Sequence, residues 1–116
     1  MKAPGWFAGL MTGTVLDGQI DIAFIRTDGD SIAEFGPATM VSYPDDVRSV
    51  ITEAVKHAQD WNFNGDEPPI FAEAEHALTR AQARAVIDTA LAYDFPLQEI
   101  AAIGFHGQTV LHRPPY

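Results

Sequence analysis

The spacing of the apolar residues changes near Tyr43-Pro44, and that change limits the fold more than any other feature. Before it, apolar and other residues alternate. Trp6 to Met11 is a short apolar run; Ile20 to Arg26 sets Ile20, Ile22 and Phe24 on one face and Asp21, Ala23 and Ile25 on the other. A repeat of two is the mark of a strand. Ile32 to Tyr43 offers a third strand, with an interruption expected at Gly36-Pro37. Asp17-Gly18 and Asp28-Gly29-Asp30 provide the turns, so an antiparallel meander of three strands is predicted.

After Pro44 the period lengthens. Val47, Val50, Ile51, Ala54, Val55 and Ala58 fall at spacings of three and four, the stripe of an amphipathic helix. Pro44-Asp45-Asp46 starts it, with acids at the positive end of its dipole. "DWNFNGDEPP", residues 60–69, is a loop by composition. A second, alanine-rich helix is predicted from about Ile70 to Ala92, with Phe71, Ala74, Leu78, Ala81 and Ala85 inward and Pro96 closing it. "IAAIGF", residues 100–105, reads as a fully buried strand suited to the parallel interior of an α/β sheet. Trp6, Phe7, Phe24 and Phe105 are expected in the core. The order is therefore strand, strand, strand, helix, helix, strand, an α/β fold.

At 116 residues the chain suits one domain. Its net charge of -9, from 16 acids and 7 bases, argues against a nucleic-acid binder but leaves room for a nucleotide, whose few phosphates need only local donors and a divalent ion. With no cysteine there is no disulfide framework or thiolate metal site. No window is apolar enough for a signal peptide or a membrane span, so a soluble, cytoplasmic protein with no membrane partner is expected. "LHRPPY" follows a buried strand with nothing to cap the sheet, which suggests a piece of something longer.

Two segments carry candidate chemistry. The first is "GLMTGTVLDGQIDIAF", residues 9–24, which nearly matches a phosphate loop from Gly13 to Ile20. Gln19 stands where the lysine belongs and Ile20 where the hydroxyl belongs. Asp17-Gly18 alone is ordinary turn chemistry. Thr12-Gly13-Thr14 asks for more: Gly13 lets a ligand approach the backbone, the two hydroxyls can donate to phosphate oxygens, and successive N–H groups make an anion-binding concavity. Asp17 could then hold a hydrated Mg²⁺.

The second is "GFHGQTVLHRP", residues 104–114, after the last strand. Ligands of open α/β sheets gather at carboxyl strand ends, where His106, Gln108 and Thr109 would sit. The plainer reading makes His106 a structural histidine. His106 and His112 lack a third metal ligand at sensible spacing; a hydrolase using Asp17, Asp21, His106 and His112 is a further reading. Ser31, Ser42 and Ser49 have no G-x-S-x-G context. His57, His76 and the acids Asp60, Asp66, Glu67, Glu73 and Glu75 read as solvated, and Arg80 and Arg84 as surface pairing residues.

Together, "GLMTGTVLDGQID" and "AIGFHGQTVLHRP" resemble the anhydro-N-acetylmuramic acid kinases, members of the actin, heat-shock chaperone and sugar-kinase ATPase superfamily. Gly9, Met11, Gly13, Thr14, Asp17 and Gly18 follow that family's G-x-M-S-G-T-S-x-D-G, and His106, Gly107, Gln108 and Thr109 its His-Gly-Gln-Thr. Thr12 and Val15 replace serines, and Gln19 reads as an insertion lengthening the turn. The resemblance implies an actin-like (ribonuclease H-like) ATPase half-domain, incomplete here: residues 1–116 would open the first domain, with the second outside this chain. It implies ATP and Mg²⁺ as cofactors and 1,6-anhydro-N-acetylmuramic acid, an amino sugar, as substrate, converted to N-acetylmuramic acid 6-phosphate in peptidoglycan recycling. Gly13, Thr14, Val15, Leu16, Asp17 and Gly18 would hold the ATP phosphates, Asp17 acting on the metal through water. His106, Gly107, Gln108 and Thr109 would line the sugar cleft. The family's general-base aspartate has no counterpart before Tyr116, so the chain alone is expected to be inactive; the full-length family suggests a homodimer. The competing reading is a stand-alone α/β module that binds an anion or nucleotide without catalysis.

Overall fold

The computed structural model describes residues 3–12, 18–105 and 111–112. Three antiparallel strands open the chain: β1 (Gly5–Thr12), β2 (Gln19–Thr27) and β3 (Ile32–Ser42). Two helices follow, α1 (Asp45–Trp61) and α2 (Ile70–Ala92), then a 3₁₀ turn, Leu97–Glu99, and β4 (Ile100–Phe105). The sheet runs β3-β2-β1-β4, with β4 parallel to β1. This is the predicted order, including the parallel sense of the last strand.

Alternation in β2 decides which face is covered. Ile20, Ile22 and Phe24 are buried under the helices, while Asp21 and Ala23 are exposed on the other face. Phe24 is 1% exposed, and burial of such a side chain is worth roughly 1.5–3 kcal/mol. Ala8 and Leu10 of β1 join it, as do Val47 and Ile51 of α1 and Leu78, Ala81, Ala85, Val86 and Ala90 of α2. The small alanines of α2 let it lie close on the sheet. The inward residues predicted for α2 are buried, except that Phe71 is only half-buried.

The break expected at Gly36-Pro37 is a bulge rather than an interruption. Ala23 pairs with Ala38 but Ile25 with Phe35, so β3 takes three steps where β2 takes two. Pro37 has no N–H to give to a ladder, and a bulge removes that demand. Gly36 lies against the Trp6 indole, where a Cβ would come within 2.7 Å of Cζ3.

α2 ends in a left-handed residue, Asp94 (φ 55°), and the Phe95 amide reaches back to the Ala90 carbonyl at 2.8 Å, a Schellman closure. That closure delivers the Phe95 ring to Trp6 and Phe24, each with centroids 4.9 Å away.

The predicted burial of residues 100–105 is overturned. Ile100 is partly buried, but Ala101 to Phe105 are exposed, Ile103 at 47% and Phe105 at 53%. An apolar run marks a strand buried on both faces only when both faces are covered. Here β4 lies at the rim of the sheet, and the helices are centred on β2 and β3. Phe105 is accordingly not a core residue, whereas Trp6 packs against the core as expected.

Candidate functional site

Strand order sets the strands that lead into the two sequence motifs side by side. β1 and β4 are parallel neighbours, Gly9 beside Gly104 and Leu10 beside Phe105. Their carboxyl ends leave the sheet side by side, at an interstrand spacing of about 4.8 Å. β1 leads directly into residues 13–17 and β4 into residues 106–110. Carboxyl strand ends are where open α/β sheets take their ligands. Of the candidate residues, Gly18 is described. Gly13, Thr14, Val15, Leu16 and Asp17 lie outside the described residues, as do His106, Gly107, Gln108 and Thr109.

Gly18 is where the turn rejoins the sheet. Its φ is +62°, a left-handed conformation that costs L-residues but not glycine. Its carbonyl accepts the Tyr43 amide at 2.7 Å, which withdraws that oxygen into the backbone. A Cβ built on it would stand 3.4 Å from Cζ, Nε and Nη1 of Arg48, in the first turn of α1. Gln19 is not extra turn: it opens β2 and pairs with Ser42.

Thr12, read from the sequence as a phosphate donor alongside Thr14, is instead buried on the helix-covered face, paired with Ile20. Its neighbour there is Tyr43. Burial pushes the Tyr43 phenol above its ordinary value, and the Thr12 hydroxyl moderates the rise. Tyr43 Oη nonetheless completes no hydrogen bond among the described residues.

Asp21 is on the opposite, open face, between Met11 and Met40. It edges a hollow of about 840 Å³ floored by Gly9, Ala23, Ala38 and Gly104. Asp21 and the buried Thr12 therefore belong to opposite faces of the sheet. His112 is exposed, and among the described residues no three His, Cys, Asp or Glu side chains gather to hold a metal. His57 and His76 are exposed on their helices, and Arg84 pairs with Asp88 at 3.2 Å.

Sequence reasoning missed Arg48 and Tyr43. Neither belongs to a motif, and both reach the turn only because β3 runs antiparallel to β2 and delivers Tyr43 beside Gly18. The one local signal was a cation within a turn that otherwise begins with two acids, Asp45 and Asp46.

Residues 5–116 match the sequence model of a family described as anhydro-N-acetylmuramic acid kinase. Among curated proteins, the anhydro-N-acetylmuramic acid kinase of Rhizobium rhizogenes is 56% identical over 112 residues, 97% of this chain and 30% of that protein. The proteins of the same name from Brucella anthropi and Mesorhizobium japonicum are 54% and 53% identical over the same coverage. The chain thus spans 30% of the length of these relatives.

Proposed function

This chain belongs to the anhydro-N-acetylmuramic acid kinase family, and from that premise we propose that its protein phosphorylates 1,6-anhydro-N-acetylmuramic acid with ATP. Water adds at the anomeric carbon and opens the anhydro bridge, while the sugar's O6 receives the γ-phosphoryl group. The product is N-acetylmuramic acid 6-phosphate, a step of peptidoglycan recycling. The family's fold is the actin-like one of sugar kinases, and the strand–helix order described above agrees with its opening half-domain. Residues 1–116 form the first part of the first domain in this reading, and a second domain lies outside this chain.

The observation that carries the proposal is the agreement of family match with topology: the two motif segments leave neighbouring parallel strands at the same sheet end. Gly13 to Gly18 bind the ATP phosphates through backbone N–H groups and the Thr14 hydroxyl. Gly18 suits that task because its carbonyl is turned to Tyr43 and offers no negative oxygen to an anion. Asp17 holds Mg²⁺ through water. His106, Gly107, Gln108 and Thr109 line the cleft on the sugar's side. When bound, ATP and its metal supply the phosphoryl group and neutralise its charge; transfers of this kind rest on positioning and electrostatics. The general base comes from a segment without counterpart here. The proposed enzyme is cytoplasmic and acts as a homodimer; among the described residues no helix is long and apolar enough to cross a membrane.

The test is an assay of the full-length gene product with ATP and the anhydro sugar, following the 6-phosphate by mass spectrometry. Product is expected, and Asp17→Ala should lower its rate by orders of magnitude. An intact rate in that variant removes Asp17 from the site; no product from the wild type removes the substrate. The relatives named above are all kinases, and nothing among them favours a binding module without catalysis.

A further inference from the structure

We propose that the open face of the sheet seats a helix from the part of the full-length protein that lies outside this chain, and that this helix comes closest at the paired glycines Gly9 and Gly104. From the family match the inference takes only its coverage: this chain spans 30% of the relatives named above, so most of their length lies outside it. It does not depend on the phosphate and sugar readings.

The glycines are the main ground for it. Gly9 of β1 and Gly104 of β4 stand side by side and, with Ala23 and Ala38, floor the hollow of about 840 Å³. Glycine inside a strand weakens it, and is found there at a bulge, at a sharp bend, or where another backbone or a ligand comes close. The irregularity between β1 and β4 lies at Trp6-Phe7, and the register of β1 with β2 runs unbroken past Gly9. Neither glycine has a positive φ. A Cβ built on either meets nothing within 4 Å among the described residues. With neither bulge nor bend to explain them, the pair marks a close approach from outside the described structure.

The rows on either side of this floor are apolar and open. Met11 and Met40 flank Asp21 on one side; Phe7, Ile25 and Phe35 form the other, with Phe35 77% exposed. α1 and α2 cover only the opposite face, where the buried core lies. Parallel neighbours such as β1 and β4 are screened by helices on both faces, and an exposed apolar face of this extent is a docking surface.

Charge selects the occupant. Asp21 is an acid within these rows, and no lysine, arginine or histidine stands on them. A second copy of this chain laid face to face would bring no base to Asp21, and two carboxylates would lose water without a partner, which is costly. A helix of the same polypeptide can set a lysine, an arginine or its own N-terminus against Asp21. It also docks as a linked segment, at an effective concentration that a free partner does not reach.

The experiment uses the full-length gene product carrying Met40→p-benzoylphenylalanine, a photoreactive residue that bonds to the C–H groups it touches. After illumination the product is sized under denaturing conditions and its attachment point is mapped by mass spectrometry. Attachment to a helical segment outside residues 1–116 of the same polypeptide is expected. A product of twice the mass, attachment within residues 1–116, or no attachment overturns the proposal. Gly104→Val gives a second reading. Valine is the better strand residue, so on an uncovered face it leaves the melting temperature unchanged or raises it. Under a docked helix it should lower that temperature by about 5 °C or more through overpacking. A melting temperature at or above that of the wild type overturns the close approach. Where Gly104→Val does not fold, Gly104→Ala is read in its place, with a smaller drop expected. Neither measurement involves ATP or the sugar, so failure of the kinase reading and failure of this one are told apart.

Discussion

Tyr43 donates its amide to the carbonyl of Gly18 over 2.7 Å, joining the residue just past β3 to the residue just before β2. Through this bond the candidate phosphate turn is fastened to the start of α1. The fastening depends on Gly18 keeping its left-handed φ of +62°. Gly18→Ala should therefore lose about 1–2 kcal/mol of stability, the cost of that conformation for an L-residue, and Gly18→Asn should lose less. Urea unfolding of the variants measures both. Equal stability of Gly18→Ala and wild type would show that the turn has a second conformation open to it.

The bulge at Gly36 is equally specific. A methyl there would meet Trp6 Cζ3 at 2.7 Å and the Phe24 Cβ and carbonyl oxygen at 3.2 Å. Since the oxygen is backbone, the strain cannot be relieved by a rotamer change alone. Gly36→Ala should cost about 1–3 kcal/mol by overpacking, visible as a lower urea midpoint with an unchanged slope.

Ile51 on α1 is 1% exposed and fills the core beneath both helices. Its replacement by alanine should cost about 2–5 kcal/mol, whereas Ile32→Ala at the exposed start of β3 should change stability by less than about 0.5 kcal/mol. If the two variants melt together, α1 is not docked as described.

Asp28 gives a pH signature. Its carboxylate accepts the amides of Asp30 at 2.9 Å and Ser31 at 3.0 Å. The Ser31 amide, then that of Asp30, hold its carboxyl below the ordinary 3.8. A depressed folded-state pKa means that the contribution is fully present above the ordinary value and is lost as pH falls through the depressed one. The melting-point gap between wild type and Asp28→Ala should hold steady at neutral pH and shrink below about pH 4. A gap unchanged at pH 3 contradicts the turn's dependence on that charge.

β4 offers apolar side chains at the rim of the sheet, and among the described residues nothing pairs with its outer edge. Exposed apolar edges recruit other chains. The 116-residue chain should sediment faster as its concentration rises, and Ile103→Lys should suppress that dependence. Identical behaviour of the two proteins would locate any association elsewhere.

The same strand shows what sequence can and cannot tell. Alternation in β2 and the three-and-four spacing in α1 and α2 are local properties, so the elements and their inward faces were legible. The burial of "IAAIGF" was not, because an apolar run reports the cover a strand needs, and that cover is not supplied by the described residues. Gln82, Val86, Thr89 and Ala90 complete the buried face of α2 beyond the predicted set, since that face follows the whole length of the sheet rather than one end. At the candidate site, Thr12-Gly13-Thr14 and Asp17-Gly18 read as a ligand-holding turn; Thr12 is buried in the interior, and residues 13–17 lie outside the described ones. Arg48 carried no readable pattern; only the register between β2 and β3 brings it to Gly18.

The parallel pairing of Leu10 with Phe105 also sets a timetable. β1, β2 and β3 can join as soon as each leaves the ribosome, because every pairing is with the strand just made. β4 must wait for both helices to be synthesised before it can reach β1. At roughly 5–20 residues per second that delay, the time to make the stretch from Ser42 to Phe105, is roughly 3–13 s. Throughout it the nascent chain holds a finished meander with one motif at its tip and no second motif beside it. β1 and β4, the strands that lead into the two motif segments, pair last, so a newborn chain should be able to fold its meander and helices before that pairing forms.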